Sequence, residues 1–166
     1  MITIRITLLL VTAITTGLTA GLLYSYACSI NPGLGQVPDE TYLRAMQSIN
    51  RAILNPVFFL SFMGTLFLLP ATTLLHAGHP GSLRFLCLLG ASVLYIGGVI
   101  GVTALGNIPL NKALDAFNIS SATAQQMADQ RAAFETPWNN LHLVRTWASI
   151  IALALVIIAC LRPVDQ

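Results

Sequence analysis

Charged residues are scarce in this sequence. Asp, Glu, Lys and Arg make up 8% of its 166 residues and leave a formal net charge of +2 at pH 7. A soluble domain carries roughly a quarter charged residues, so this chain has too little charge to cover a surface in contact with water. The small positive excess also gives no indication of a nucleic-acid partner.

The scarcity is greatest in four long stretches without any charged residue, at 6–31, 52–83, 85–111 and 146–161. Hydrophobic residues form 55% of the chain, and its mean hydropathy is +0.76. Charge-free apolar runs of about 18 or more residues are typical of membrane-spanning helices. Three runs reach that length directly, and the fourth reaches it with the apolar residues before Arg145. We therefore predict an all-α protein: a single membrane domain, 1–166, with a four-transmembrane-helix bundle in the lipid bilayer and spans at about 4–28, 56–76, 83–105 and 137–161.

The two long connections, 31–55 and 106–137, contain the predicted breaks and short amphipathic helices. Segments rich in Asn, Pro and Gly at 31–35 and 106–111 predict that the first and third spans end there. Asp39 is a suitable N-cap for a helix that we expect to lie on the membrane surface, with an apolar stripe at Leu43, Met46, Ile49 and Ile53. Ser120 could cap a second short helix at about 121–134, and Pro137 would open the fourth span.

Four spans place both termini on one side of the membrane and both long connections on the other. The count of Lys and Arg does not favour termini inside, and our expectation of a bacterial inner membrane with cytoplasmic termini rests on Arg5 before the first span. A secretory signal peptide is the alternative for that span, but its apolar run is longer than a signal core of about 7–15 residues.

Small residues and cysteines are assigned to packing. Small residues recur on one face of the first span (Ala13, Gly17, Gly21, Ser25) and of the third (Gly90, Gly97, Gly101). They predict close helix contacts, within the bundle or in a homo-oligomer. Cys28, Cys87 and Cys160 lack metal-ligand spacing, and we interpret them as small buried hydrophobes.

One face of the fourth span carries an unusual polar group. Trp138, His142, Arg145 and Ser149 are spaced by four, three and four residues, which places them together on a helix. Arg145 would lie about 10 Å along the axis from Trp138, inside the hydrocarbon zone or a polar cavity. Because no span contains Asp or Glu, its partner must be a carbonyl, a bound anionic ligand, or a carboxylate of the connections (Asp39, Asp115 or Glu135). The alternative is that Arg145 only ties the helix to a loop or reaches the lipid headgroups.

His142 could accept a proton from a substrate near neutral pH, or it could simply bond to a backbone carbonyl. Further candidates for substrate binding are Asn50, Arg51, Asn107, Asn111 and Asn139, although asparagines often satisfy turn backbones instead. Haem ligation is disfavoured because His76 and His142 fall at opposite ends of the bundle. The pair His76 and His79 surrounds Gly78, and we predict neither a metal site nor a cofactor.

Four segments together resemble the anthrone oxygenase-like family of small membrane proteins. They are Asn31-Pro32-Gly33-Leu34, Met46-Gln47-Ser48-Ile49-Asn50-Arg51, Asn107-Ile108-Pro109-Leu110-Asn111 and Trp138-Asn139-Asn140-Leu141-His142-Leu143-Val144-Arg145-Thr146. Some fungal members are associated with oxidising polyketide anthrones to anthraquinones with O2 and no evident cofactor. Many relatives have Asn at the position of His142, so a general-base role transfers less readily to this chain.

The resemblance implies an oxygenase acting on anthrone-like or other electron-rich phenolic substrates. His142 would then take the acidic CH2 proton, while Arg145, with Asn50, Asn107 or Asn111, stabilises the oxyanion. Trp138 would stack on the aromatic ring. The expected partners are an aromatic or phenolic small molecule and O2. Two alternatives remain: a non-catalytic membrane protein that binds a lipid, quinone or other apolar ligand, and an accessory subunit.

Overall fold

The computed structural model describes residues 4–162, so the ends of the predicted 1–166 domain lie outside the described residues. The described chain is all-α, as predicted. It forms α1 (Ile4–Leu34), α2 (Asp39–Ala52), α3 (Pro56–Leu75), α4 (Leu83–Ala116) and α5 (Ala124–Leu161), with a short 3-10 turn at Ile119–Ser121. The four helices α1, α3, α4 and α5 are long and apolar enough to cross a membrane, which makes this an integral membrane protein.

The predicted break at 106–111 is wrong, because α4 continues through it to Ala116, whereas α1 ends at Leu34, within the predicted 31–35 segment but beyond the predicted span end at residue 28. Each helix widens into a π-helical segment, Tyr26–Ile30 in α1 and Thr103–Asn107 in α4. Asn31 N–H donates to Tyr26 O and Ile108 N–H to Thr103 O, each five residues back. In both cases a proline, Pro32 or Pro109, follows after one further residue. A local π turn redistributes the hydrogen bonds that a proline removes, so these prolines do not end their helices.

Helix α5 also differs from its prediction. It begins after Thr123, whose hydroxyl accepts from Gln126 N–H while the Gln126 side chain accepts from Thr123 N–H. This capping box replaces the predicted cap at Ser120. Pro137 lies inside the helix, so the segment predicted as a separate helix at 121–134 is the first part of α5. Its 38 residues extend about 57 Å, well beyond a hydrocarbon core of about 30 Å.

Helix α2 confirms the predicted amphipathic pattern but has a different partner and a different cap. Pro38, not Asp39, precedes the first helical residue, and no side chain caps the helix. Leu43 and Met46 are buried in a cluster with Leu114 of α4 and Phe134 of α5. The apolar face of α2 therefore packs on the ends of two long helices.

Of the glycines predicted to make close helix contacts, Gly90 does so, since a Cβ there would lie 3.3 Å from a Leu155 methyl group, but the closest contacts occur at two glycines that were not predicted. A Cβ on Gly98 would lie 2.5 Å from Ala148 Cβ, and one on Gly106 would lie 2.7 Å from a Leu141 methyl group. Gly97, in contrast, has open space. The π-helical segment Leu94–Gly101 shifts the register of α4, so α-helical spacing selects the wrong residues. A homo-oligomer at the open glycine faces stays a prediction.

The cysteines match their interpretation in part. Cys87 is buried and Cys160 is half-buried, whereas Cys28 is exposed and is not a core residue. The core of the bundle instead consists of aliphatic and aromatic side chains, including Leu69, Tyr95 and Val156.

Candidate functional site

A cavity of about 580 Å³ lies among all five helices, near the π-helical segments of α1 and α4. Most of its wall is apolar, with Leu23, Phe58, Phe62, Met63 and Ile100 among the lining residues. Pockets for small organic ligands have volumes of about 300–1,000 Å³ and are mostly apolar with a few polar groups. The cavity therefore has the size and character of a site for a small aromatic or lipid-like molecule.

Seven of the eight residues predicted for the site line this cavity, namely Asn50, Arg51, Asn107, Asn111, Trp138, His142 and Arg145. Asn139 does not line it. The four residues predicted to share one face of α5 are all buried, namely Trp138, His142, Arg145 and Ser149. The roles assigned to these residues stay predictions.

Sequence reasoning missed several polar residues of the wall. Thr103 lies four residues before Asn107, so its spacing from Asn107 and Asn111 could have revealed it. Thr19 and Tyr26 come from α1, where the small-residue pattern indicated packing alone. No pattern in the sequence pointed to them.

Arg145 is buried and lacks an acidic partner. Only 8% of the residue is exposed. Its Nη1 donates to Thr103 Oγ1 at 3.2 Å, and its Nη2 donates to His142 Nδ1 at 3.0 Å. The guanidinium carbon lies 5.4 Å from the centroid of the Trp138 ring. Its Nε is buried without any hydrogen-bond partner.

The three carboxylates considered as partners of Arg145 pair elsewhere. Asp115 accepts from Arg51 Nε at 2.6 Å. Asp39 and Glu135 both accept from Arg131, at 2.9 and 2.6 Å. In the part of the chain that the structure describes, neutral groups alone contact the guanidinium of Arg145. Of the partners considered from the sequence, a bound anionic ligand is the one that would balance this charge.

Both ring nitrogens of His142 are engaged. Nε2 lies 3.0 Å from Leu23 O in α1, and Nδ1 is the atom that faces Arg145 Nη2. A carbonyl only accepts and a guanidinium only donates, so the imidazole is neutral, with its proton on Nε2. The ring also stacks on Trp138, with centroids 5.0 Å apart and planes 6° apart. To act as a base, His142 would first have to release Arg145.

Trp138 is held by its own set of contacts. Its Nε1 donates to Asn111 Oδ1 at 2.8 Å, and its carbonyl accepts from Asn107 Nδ2 at 3.4 Å. One ring face is covered by His142, and Phe134 lies against the ring with centroids 6.1 Å apart. Stacking of a substrate on the face that contacts His142 is therefore blocked.

Four buried side-chain atoms within residues 4–162 have no hydrogen-bond partner: Thr19 Oγ1, Asn50 Nδ2, Asn107 Oδ1 and Arg145 Nε. All four residues line the same cavity. Buried polar groups are nearly always paired, and unpaired ones cluster where a ligand, ion or water supplies the missing partner. Thr19, Asn107 and Arg145 come from three different spans, and Asn50 comes from α2, so the unpaired atoms surround a common space.

The spans and the cavity together define a class of protein. This is a four-span integral membrane protein with a ligand-sized apolar cavity and a buried, uncompensated arginine. More specifically, the chain belongs to the anthrone oxygenase family, whose sequence model matches residues 56–155. That range includes α3, α4 and most of α5, with the motifs at 107–111 and 138–146. The motifs before residue 56 lie outside the match. No curated protein and no solved structure matches the chain.

Proposed function

We propose that the protein oxidises a flat, electron-rich phenolic molecule of the anthrone type with O2 inside this cavity. The observation that carries the proposal is the buried guanidinium of Arg145, which has a free Nε–H and no carboxylate partner among the described residues. A phenolate or enolate oxygen supplies the missing negative charge, and the apolar walls accommodate the aromatic rings.

The unpaired atoms of the cavity favour this substrate class. Arg145 Nε and Asn50 Nδ2 carry hydrogens and require acceptors, whereas Asn107 Oδ1 requires a donor. A hydroxylated anthrone offers carbonyl or enolate oxygens as acceptors and a phenolic hydroxyl as donor. A hydrocarbon, or a lipid tail, would leave all three atoms unpaired.

In the proposed reaction, the main contribution of the protein is to stabilise the substrate anion. The CH2 between the rings passes its proton to water when the substrate tautomerises to its phenolic form and ionises, and the resulting anion can reduce O2. One oxygen atom of O2 becomes the new carbonyl and the other leaves as water. Arg145 would stabilise the anion, since a charge-assisted hydrogen bond in a site without water is strong.

We propose a positioning role for His142 in place of the general-base role expected from the sequence. Its contacts with Leu23 O and Arg145 hold the guanidinium towards the cavity. His142→Gln can keep a donor for Leu23 and an acceptor for Arg145, whereas His142→Leu keeps neither. A positioning role predicts activity close to wild type for His142→Gln and loss for His142→Leu. Equal loss in both variants would support the general-base role.

The direct test is O2 uptake by purified, detergent-solubilised protein supplied with a hydroxyanthrone, after metal analysis of the sample. We expect uptake above the spontaneous rate for wild type and for Arg44→Gln, an exposed arginine on α2. We expect Arg145→Gln to remove that uptake. Uptake that persists in Arg145→Gln would contradict the proposal, and a stoichiometric metal would redirect the chemistry towards metal-bound O2.

The second candidate function is binding without turnover, and the engaged nitrogens of His142 favour it. A protein without a free base in its cavity suits a ligand that arrives already anionic or stays unreacted, such as a quinol or an acidic lipid. Tight, Arg145-dependent binding of a hydroxyanthrone without O2 uptake would establish this function.

We also propose that the protein lies in a bacterial inner membrane with both termini in the cytoplasm. The exposed residue Ser121, in the connection before α5, would then face outside. A Ser121→Cys protein in which the exposed Cys28 is replaced by serine should react with a membrane-impermeant thiol reagent in intact cells, whereas the Cys28→Ser protein alone should not. Reaction only after the cells are opened would reverse the orientation.

A further inference from the structure

Helices α3 and α4 separate from each other on one side of the cavity. Near its C-terminal end, α3 packs against Leu83–Val93 of α4, where Thr73 and Ser92 share a hydrogen bond of 3.0 Å. Towards Pro56 the two helices diverge. Among residues 4–162, no hydrogen bond or ion pair joins α3 to the Thr103–Ala116 half of α4. The cavity occupies the space that this divergence leaves.

The two rims of the gap are apolar and face both inwards and outwards. On the side of α3, Leu54 and Phe59 line the cavity and are 66% and 40% exposed. On the side of α4, Ala104 and Ile108 line the cavity and are also exposed. Ala104 and Ile108 are four residues apart in α4 and flank Asn107. The gap therefore connects the cavity with the apolar outer surface of the spans.

The end of the cavity at the connections is, in contrast, tied together by polar groups. Arg51 of α2 pairs with Asp115 of α4 at 2.6 Å, and both residues line the cavity. Gln47 of α2 donates to Leu114 O at 2.8 Å and to Phe117 O at 3.0 Å. The side chains of Arg51 and Asp115 are 64% and 50% exposed, so this end of the cavity borders water. A ligand entering there would have to pass the cross-links that join α2 to the end of α4.

We propose that the gap between α3 and the second half of α4 is a lateral portal, through which the ligand enters from the hydrocarbon of the membrane. For the identity of the ligand, a flat phenolic molecule, this inference rests on the proposed function. Such a molecule partitions into lipid, so its concentration beside the portal exceeds that in water. The rims offer it an apolar path that ends at Arg145 and the unpaired amides.

A change at the portal should alter the rates of binding rather than its equilibrium. In a Trp147→Phe background, Trp138 is the sole tryptophan and reports a hydroxyanthraquinone probe by quenching in nanodiscs. Ala104→Phe narrows the gap, and we expect it to slow association and dissociation alike, by about tenfold. The matched control is Leu105→Phe, at the next residue, which is 86% exposed and does not line the cavity. The control should bind as the background protein does.

Two further variants decide between membrane and water as the source. Phe59→Ala widens the gap and should accelerate both rates, whereas Gln47→Ala removes a cross-link at the polar end and should change neither. Unchanged rates in Ala104→Phe, or faster binding in Gln47→Ala alone, would overturn the portal. Absence of probe binding in every protein would instead contradict the proposed function.

If the probe does not bind, the portal can still be tested by measuring tryptophan quenching by lipids, which requires no ligand. Phospholipids with brominated acyl chains quench tryptophan at short range. Chains that reach the cavity should quench Trp138 in the Trp147→Phe protein, and Ala104→Phe should reduce this quenching while Leu105→Phe does not. Equal quenching in the two variants would overturn the portal independently of any substrate.

Discussion

Replacing Arg145 by methionine should weaken ligand binding without strongly destabilising the ligand-free protein. Methionine has a similar length and no charge, and it leaves the apolar walls of the cavity intact. The guanidinium that it replaces is buried, contacts only neutral groups among the described residues and leaves Nε unpaired. The change therefore removes the cost of a buried, unpaired charge from the ligand-free protein. It also removes the hydrogen bond between the guanidinium and the ligand from the complex.

The magnitudes follow from the contacts of Arg145. An arginine at the centre of a spanning helix costs about 2.5–3.5 kcal/mol on insertion scales. Two hydrogen bonds, to Thr103 and His142, are lost at about 0.5–1.5 kcal/mol each. These contributions largely offset each other, so we expect the free energy of unfolding to change by less than about 3 kcal/mol. A lost charge-assisted hydrogen bond to the ligand, about 1.5–3 kcal/mol, should weaken binding by about 10- to 150-fold.

The assay is thermal unfolding in detergent with and without a hydroxyanthraquinone probe. Arg131→Met on the same helix is the matched control, because Arg131 pairs with Asp39 and Glu135 and donates to Val37 O and Gly35 O. Arg131→Met loses hydrogen bonds to two carboxylates and two carbonyls, at about 0.5–1.5 kcal/mol each, so this control should unfold at a clearly lower temperature. Equal destabilisation by both variants, with probe affinity retained in Arg145→Met, would refute the reasoning and make Arg145 structural.

Three further outcomes test the packing around the site. Gly98→Ala should lower the free energy of unfolding by about 1–3 kcal/mol, because the new Cβ would lie 2.5 Å from Ala148 Cβ, and adding Ala148→Gly should restore it. Trp138→Phe loses the donor to Asn111 and should cost about 1 kcal/mol in thermal unfolding, with part of the loss recovered by Asn111→Leu. Burial raises the pKa of Tyr42 above its ordinary value of about 10, so the folded protein holds this proton more tightly than the unfolded chain. Stability measured by chemical unfolding should therefore fall as the pH rises above 10, and it should fall less in Tyr42→Phe.

The number and position of the spans were predictable, whereas their ends were not. Hydropathy identifies the spans because burial in hydrocarbon is decided by composition over about 20 residues. Their ends were inferred from proline, which ends helices in water. Here Pro32 and Pro109 follow π-helical turns and Pro137 lies inside α5, so the three helices continue. An Asn-Pro or Ile-Pro step at the edge of an apolar span is thus compatible with an unbroken helix.

The face of α5 in the site was predictable because spacing along one helix fixes which side chains lie together. The contacts between helices were not. Five carboxylates and three arginines occur in the connections, and nothing in the sequence shows that Arg131 pairs with Asp39 and Glu135 and leaves Arg145 without either. The partner of His142 is a backbone carbonyl of α1, and a backbone atom has no signature in a sequence.

The unpaired polar atoms are best understood against the rest of the bundle. Within hydrocarbon no water reaches a buried polar group, so an unpaired one is expensive. Away from the cavity the protein avoids this cost by pairing hydroxyls between helices, as Thr12 does with Thr72 at 2.8 Å. At the cavity, donors from different helices point into a common space with nothing to accept their hydrogens. The fold thus pairs its buried hydroxyls at one end of the bundle and leaves amide and guanidinium hydrogens unpaired at the other. Such a cavity is suited to a ligand that carries hydrogen-bond acceptors.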